Sequence, residues 1–157
     1  TTTQPGTGGE KKAKEAELCI LDLKTRKVEW HAPVFPGAQE YTDMHAGPQG
    51  LVYGFADRKI FFVFDPAKWE VILKQNVEQE FGPTTAEQCP RVFVSGPEQS
   101  VYVLFRDCIA RLDTTTHRLS LVAKSPVPIF AGGDYHDGRI YFINESHLCS
   151  YQLEGNR

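Results

Sequence analysis

The stretch that decides the fold is Lys59–Val71, with the sequence KIFFVFDPAKWEV. An apolar, β-prone run leads to Asp65, and a polar turn then leads to Val71 six residues later. The same arrangement recurs at Asp22 and Asp113, each followed at the same distance by another apolar residue. This pattern predicts a strand, a short turn and a second strand in each of the three places.

A tyrosine in a strand-like run gives the repeat a second anchor. Tyr53 stands 12 residues before Asp65, and Tyr102 stands 11 residues before its own aspartate. Tyr141 stands 11 residues before Gln152, which takes the place of the aspartate in a last unit. Successive anchors are 43, 48 and 39 residues apart. Periods of this length, built only of short strands and turns, indicate a β-propeller with four strands per blade.

Turn residues divide the chain into two complete blades between two incomplete ones. The first unit, 18–32, has only the third and fourth strands of a blade, and the last, 129–153, lacks its fourth strand. The complete blades are expected at 40–74 and 91–123. The predicted fold class is therefore all-β, a partial β-propeller of thirteen strands. Because a ring takes about four to eight blades, the remaining blades are expected from upstream sequence or another chain, in preference to a second copy.

The segments outside the predicted strands have turn and linker composition. Residues 1–17 combine TTTQPGTGG with the mixed-charge run EKKAKEAE, which predicts a flexible tether before a propeller domain at 18–157. A longer surface loop is expected at 79–90. A tight turn is expected at His136-Asp137-Gly138, where glycine supplies a positive φ.

Composition excludes several classes of function. The net charge of −3 gives no electrostatic footprint for nucleic acid, and no apolar run approaches the roughly 20 residues of a membrane span. The four cysteines form no CxxC pair. Cys19 and Cys149 hold the repeat position of Phe62 and Ala110, so we predict small buried hydrophobic residues, with one disulfide as the alternative. The sequence leaves the cellular compartment open.

The three repeat aspartates, Asp22, Asp65 and Asp113, are interpreted as structural rather than catalytic. A carboxylate before a short turn can accept hydrogen bonds from the backbone N–H groups that follow it. The local motifs of serine hydrolases, zinc proteases and nucleotide-binding loops are absent from the sequence.

Two Asp-x-His units are the candidate ligand-binding positions. Asp43-Met44-His45 and Asp134-Tyr135-His136 each close the innermost strand of a blade, and alternation puts the Asp and His of each unit on one face. Innermost strands line the channel, so the two units could bind a metal or supply a general base. The intervening blade has Phe93-Val94-Ser95 at this place and supplies no ligand. Turn capping is therefore the favoured interpretation, and no metal site is predicted.

Two tryptophans are candidates for exposed aromatic contacts. Trp30 and Trp69 fall on outer strands or in their turns, where partial exposure is expected. An exposed ring could stack on a sugar or on a protein partner. Simple packing between blades is the alternative.

Three segments resemble blade motifs of the quinoprotein-like, NHL and kelch-related propellers. They are DGRIYF at 137–142, GLVYG at 50–54 and FVFDP at 62–66. The resemblance covers roughly 18–153 and implies the architecture, since propellers of this kind include lyases, lactonases, dehydrogenases and pure binding scaffolds. The tryptophan-docking pattern of quinoprotein blades is absent. No quinone, and no other cofactor, is therefore predicted.

The leading functional prediction is a non-catalytic binding or scaffold module within a larger polypeptide or assembly, with a protein or carbohydrate ligand. The alternative is part of a propeller enzyme, a lyase or hydrolase acting on a carbohydrate or lactone. In that case the two Asp-x-His units would line the channel. A bound metal or a deep channel pocket favours the enzyme, whereas a shallow channel with exposed aromatic rings on one rim favours the binding module.

Overall fold

The computed structural model describes residues 14–42, 44–85 and 92–153, and thirteen β-strands lie within these ranges. The strands are β1 (Leu18–Asp22), β2 (Lys27–Ala32), β3 (His45–Ala46), β4 (Val52–Ala56), β5 (Ile60–Asp65), β6 (Glu70–Asn76), β7 (Phe93–Ser95), β8 (Val101–Leu104), β9 (Cys108–Asp113), β10 (Arg118–Lys124), β11 (Ala131–His136), β12 (Arg139–Asn144) and β13 (His147–Gln152).

The strands form four antiparallel sheets in which each strand pairs with the next one in the chain. Blade 1 is β1–β2, blade 2 is β3–β6, blade 3 is β7–β10 and blade 4 is β11–β13. This distribution confirms the predicted all-β fold class, with two complete and two incomplete blades. No helix among the described residues is long and apolar enough to cross a membrane.

The innermost strand of blade 2 is shorter than the predicted 40–45. It covers only His45–Ala46, and Tyr41 makes an isolated bridge with Ala56 instead of continuing a ladder. The preceding backbone pairs with a side chain, because Asp57 Oδ1 accepts hydrogen bonds from the N–H groups of residues 39 and 40 at 2.7 and 3.1 Å. Backbone pairing with the end of β4 persists around the bridge, since the Thr42 N–H donates to the Phe55 carbonyl and the Asp57 N–H donates to the Glu40 carbonyl, each at 3.0 Å.

The predicted surface loop at 79–90 is wrong in its first part. A one-turn helix, α1 (Glu78–Phe81), buries Phe81 against Phe105, with the ring centroids 5.0 Å apart. Thr84 and Thr85 are buried as well. The aromatic ring holds this connection against blade 3 because its burial removes apolar surface from water. Residues 86–91 lie outside the described part of the chain.

The core lies between the blades. We call the side of a blade that meets the next blade along the chain its rear face, and the opposite side its front face. Alternation gives each strand residues on both faces. Three clusters fill the spaces between blades: Leu18 with Phe62 and Phe64 between blades 1 and 2; Tyr53, Phe55, Phe61 and Val63 with Val101, Val103, Ala110 and Leu112 between blades 2 and 3; and Leu104 and Ile109 with Ile140 and Phe142 between blades 3 and 4.

Glycines let the repeat tyrosines lie flat on the turn between the first and second strands. A Cβ atom on Gly47 would come within 2.2 Å of Tyr53 Cε2, and one on Gly96 within 2.5 Å of Tyr102 Cε2. Neither distance is compatible with a side chain. The same close approach therefore fixes the tyrosine in both complete blades.

A bulge separates the third and fourth strands in blades 1, 2 and 3. The pairing register shifts between Ile20 and Leu21, between Val63 and Phe64, and between Leu121 and Ala123. A bulge bends the strand and increases its local twist. In each of these blades the fourth strand has one extra residue opposite the third strand.

The predicted Asp-Gly turn between β11 and β12 is confirmed. Asp137 has φ of 45° and Gly138 has φ of 76°. Positive φ at both central residues matches the right-handed twist of a hairpin.

Candidate functional site

The repeat aspartates cap their turns, as predicted. The Oδ1 atom of each accepts backbone hydrogen bonds: Asp22 from Lys24 at 2.7 Å and Thr25 at 3.3 Å, Asp65 from Ala67 at 3.0 Å, and Asp113 from Thr115 at 2.8 Å and Thr116 at 3.1 Å. The backbone bonds lower the pKa of Asp22 and Asp113. At Asp65 the first cause of the lowered pKa is the Lys68 ammonium, 3.0 Å from Oδ2. These carboxylates stabilise hairpins.

One rim of the array carries both kinds of candidate residue. Consecutive strands of a blade are antiparallel, so the turn after the first strand and the turn after the third strand lie on the same rim. The Asp-x-His units close first strands, and the capped hairpins follow third strands. We refer to this side as the hairpin rim.

His45 packs against the neighbouring blade. It is half-buried, and its ring is stacked on that of Phe93 with the centroids 5.7 Å apart. Phe93 belongs to β7, the innermost strand of blade 3. The structure thus brings His45 next to the apolar segment that separates the two Asp-x-His units. Asp43 lies outside the described residues.

Asp134 and His136 are exposed at the end of β11. They share one face of the strand, opposite Tyr141 and Arg139 of β12. The Asp134 carboxylate accepts a hydrogen bond from the N–H of Tyr135 at 2.8 Å. Among residues 14–42, 44–85 and 92–153, no three His, Cys, Asp or Glu side chains gather as a metal site. A ligand-binding role for the Asp-x-His units stays a prediction.

The two tryptophans differ in their surroundings. Trp30 is half-buried, and its ring lies 5.0 Å from that of Phe64. Trp69 stands in the hairpin between β5 and β6 with 44% of its surface exposed. Of the two tryptophans, Trp69 is thus the more exposed, and it stands on the hairpin rim.

The predicted burial of Cys19 is wrong, because its side chain is exposed, and Cys149 is only half-buried. Cys19 lies on the front face of blade 1, against which no described blade packs, whereas Cys149 faces blade 3. Both are free thiols, as is Cys108, which is buried beside the Phe81 carbonyl. Burial raises the pKa of Cys108 to about 11, which makes it a poor nucleophile.

A polar cleft on the hairpin rim of blade 3 was not predicted. It has a volume of about 510 Å³, and its lining includes Glu98, Ser100, Arg111, Asp113, Thr115 and Ser120. Arg111 and Ser120 lie opposite each other in the ladder of β9 and β10. The lining comes from separate turns and strands, so no local motif marks it. One signal exists in the sequence: Arg111 holds the repeat position that Val63 fills in blade 2.

Comparison with known proteins supports the fold. No protein-family model matches the chain, and no curated protein matches it significantly. Among solved structures, it is similar to a catalytically inactive variant of virginiamycin B lyase from Staphylococcus aureus, crystallised with quinupristin. The TM-score is 0.56 at 10% identity, over 93% of this chain and 51% of that one. The likeness shows a propeller fold, and the chain spans about half the length of the lyase.

Proposed function

We propose that this chain is a segment of a larger β-propeller and serves as a non-catalytic binding or scaffold module. One observation carries the proposal: repeat positions that are buried between blades are exposed at both ends of the array. Leu21 on the front face of blade 1 is 49% exposed, and Leu148 on the rear face of blade 4 is 74% exposed. Further blades would cover both faces. The match to half of a propeller chain supports this interpretation.

The hairpin rim is the proposed binding surface. It presents the exposed Trp69 ring on blade 2 and the polar cleft with its Arg111 guanidinium on blade 3. An aromatic ring together with hydroxyl, carboxylate and guanidinium groups suits a carbohydrate or a polar protein surface. Binding through the Trp69 ring and the cleft residues involves no chemical reaction.

Sedimentation velocity and dye binding on the isolated chain test the assembly role. We expect concentration-dependent association, or binding of an apolar fluorescent dye, because both terminal faces expose apolar side chains. A soluble monomer that unfolds cooperatively and binds no dye would overturn the proposal. Such a result would indicate that the four sheets fold stably without further blades.

Binding to immobilised neutral and acidic oligosaccharides tests the surface. We expect Trp69→Ala and Arg111→Ala each to weaken any binding at an unchanged melting temperature. Leu121→Ala is the matched control, since Leu121 is 52% exposed on the outer strand of blade 3 and does not line the cleft. Binding that survives both rim substitutions would place the ligand elsewhere.

The enzyme alternative has two observations in its favour. His45, Asp134 and His136 stand on innermost strands, and the similar solved structure is a lyase. Incubation with quinupristin or a simple lactone, together with elemental analysis after dialysis, separates the two functions. We expect neither turnover nor stoichiometric metal. Turnover or metal that is lost in the His45→Ala and His136→Ala variants would replace the scaffold proposal with a catalytic one.

A further inference from the structure

The interfaces between blades use the same repeat positions. In blades 2 to 4 the rear face has the repeat tyrosine and an apolar residue two positions after it. It also has an apolar residue four positions before the repeat aspartate, or before Gln152 in blade 4. The sets are Tyr53, Phe55 and Phe61 in blade 2, Tyr102, Leu104 and Ile109 in blade 3, and Tyr141, Ile143 and Leu148 in blade 4. In blades 2 and 3 all six side chains are buried by the following blade.

The repeat tyrosine of blade 2 also makes a polar contact with the next blade. Its hydroxyl lies 3.0 Å from His117 Nδ1 and 3.4 Å from the Thr114 carbonyl oxygen, both in the third-to-fourth strand hairpin of blade 3. Burial raises the pKa of Tyr53, so the phenol stays neutral and keeps its proton for this contact. A buried tyrosine hydroxyl needs such a partner.

The rear face of blade 4 has the same residues without their cover. Ile143 and Leu148 are a cross-strand pair, as are Phe55 and Phe61 in blade 2. The blade 2 pair has no exposed surface, whereas Ile143 is 40% and Leu148 is 74% exposed. Tyr141 is half-buried beside them. The Ile143–Leu148 part of this face has the chemistry of an interface rather than of a solvated sheet surface, whereas the exposed Asp134 and His136 stand on the same face towards the hairpin rim.

The outer edge of β13 is open as well. In blades 2 and 3 the third strand pairs with a fourth strand on its outer side. Within the described residues, β13 pairs with β12 and with no other strand. An edge of this kind presents backbone donors and acceptors that can take another strand.

We infer that a further, complete blade of the same repeat covers the rear face of blade 4, and that a fourth strand extends β13. This inference rests on the proposed role as a propeller segment and names the surface and its partner. The partner has apolar residues at the front-face positions of its second and third strands. Its third-to-fourth strand hairpin offers a carbonyl to the Tyr141 hydroxyl.

The described part of blade 1 in a second copy of this chain does not match the face. In the interface between blades 2 and 3, Val101 and Val103 of the second strand lie in the same cluster as Tyr53 and Phe55. Within the described residues, blade 1 has only the strands that correspond to the third and fourth, so it offers no second strand to lie on Tyr141. We therefore expect the partner to be a complete blade and not blade 1 of a second copy.

An extended chain tests the inference. In the extended chain, a second copy of residues 115–157 is joined after Leu153 and replaces residues 154–157. The copy adds the sequence of β10 as a fourth strand for blade 4. It also adds the sequences of β11, β12 and β13 as the next three strands. We expect the melting temperature to rise above that of the parent chain. Leu148→Lys should leave the parent unchanged but lower the melting temperature of the extended chain by about 5 °C or more, because it buries an unpaired charge. Amide hydrogen exchange in β13 should slow in the extended chain.

Two variants guard against an ambiguous result. Leu148→Ser repeats the comparison without a charge, and Leu121→Lys is a control on a strand that stays exposed in both chains. Equal effects of Leu148→Lys in both chains, or an extended chain less stable than the parent, would overturn the inference. A parent dimer that Leu148→Lys dissociates would also overturn it, in favour of a second copy. Failure of the assembly proposal is recognised separately, from the behaviour of the parent chain alone.

Discussion

Phe61 and Leu148 hold the same repeat position in blades 2 and 4, yet one is fully buried and the other is 74% exposed. Both lie on a rear face, and both follow a turn out of the second strand. Besides the change from Phe to Leu, they differ in what stands next to them: blade 3 covers Phe61, while no described blade covers Leu148. The repeat therefore specifies which residues form an interface, and the neighbouring blade determines whether the interface exists.

The comparison has an energetic meaning. Blades of a repeat array contact mainly their neighbours, so stability is approximately a sum of blade terms and interface terms. Burial of one large apolar side chain contributes about 1.5–3 kcal/mol. The interface between blades 2 and 3 is thus the most stabilising part of the molecule, and the two terminal faces contribute little.

The first prediction contrasts the two positions directly. Phe61→Ala should lower the free energy of unfolding by about 3–5 kcal/mol, because it leaves a cavity between blades 2 and 3. Leu148→Ala should change it by less than about 0.5 kcal/mol, as expected for an exposed site. Urea unfolding followed by fluorescence measures both. Similar losses for the two variants would mean that the rear face of blade 4 is already covered in solution.

The second prediction contrasts the repeat tyrosines. Tyr53→Phe should cost about 1 kcal/mol, since it removes the hydroxyl that contacts His117 and Thr114. Tyr141→Phe, on the open face, should cost nothing measurable. A double-mutant cycle with His117→Ala isolates the coupling, and no coupling would show that the hydroxyl contact does not stabilise the interface.

The pH dependence of the Tyr53 effect has a definite sign. Burial raises the pKa of Tyr53 in the folded state, so folding favours the neutral phenol. Its contribution is complete below the unfolded-state pKa of about 10 and is lost as pH rises through the higher folded-state value. The loss of stability in alkaline solution should therefore be shallower in Tyr53→Phe than in the parent.

The third prediction concerns a contact that is independent of neighbouring blades. Asp65→Ala should lower the melting temperature by about 2–4 °C, because the turn loses its acceptor. Asp22→Ala in terminal blade 1 should have a similar effect, since its hairpin is capped in the same way. Differential scanning calorimetry compares them. A ligand affinity that falls at an unchanged melting temperature would contradict the structural assignment of Asp65.

The capping aspartates also predict that folding stability falls at low pH. The pKa of each capping aspartate is lowered in the folded state. Their contribution is present above the unfolded-state pKa of about 4 and disappears as pH falls through the lower folded-state values. Asp65→Asn keeps an acceptor oxygen in the turn, so it should be milder than Asp65→Ala at pH 7 and less sensitive to acid than the parent.

The predictable parts of this fold are those that depend on local sequence. The aspartate caps and the Asp137-Gly138 turn follow from the chemistry of a few adjacent residues, and the strand count follows from the repeat. Local reasoning failed where a distant group intervenes. The Asp57 side chain binds the N–H groups of residues 39 and 40, where the first strand of blade 2 was expected to begin, and Phe105 packs on Phe81, which was expected in a loop.

The candidate site was less predictable for the same reason. Cys19 was expected to be buried because Phe62 and Ala110 hold its position, but burial there depends on a preceding blade. The cleft beside Arg111 joins residues from two turns and two strands, so only the arginine at the repeat position of Ile20 and Val63 marked it. The side-chain types were visible in the sequence, whereas their neighbours were not.

The bulges between third and fourth strands have a consequence for colloidal behaviour. They twist the outermost strands of blades 1, 2 and 3, and a twisted edge is a poor template for another flat sheet. Among the described strands, β13 is an outer edge with an unshifted register along its whole pairing with β12. If the isolated chain precipitates as ordered fibres, this strand is where growth should begin, and a lysine on its exposed side should delay it.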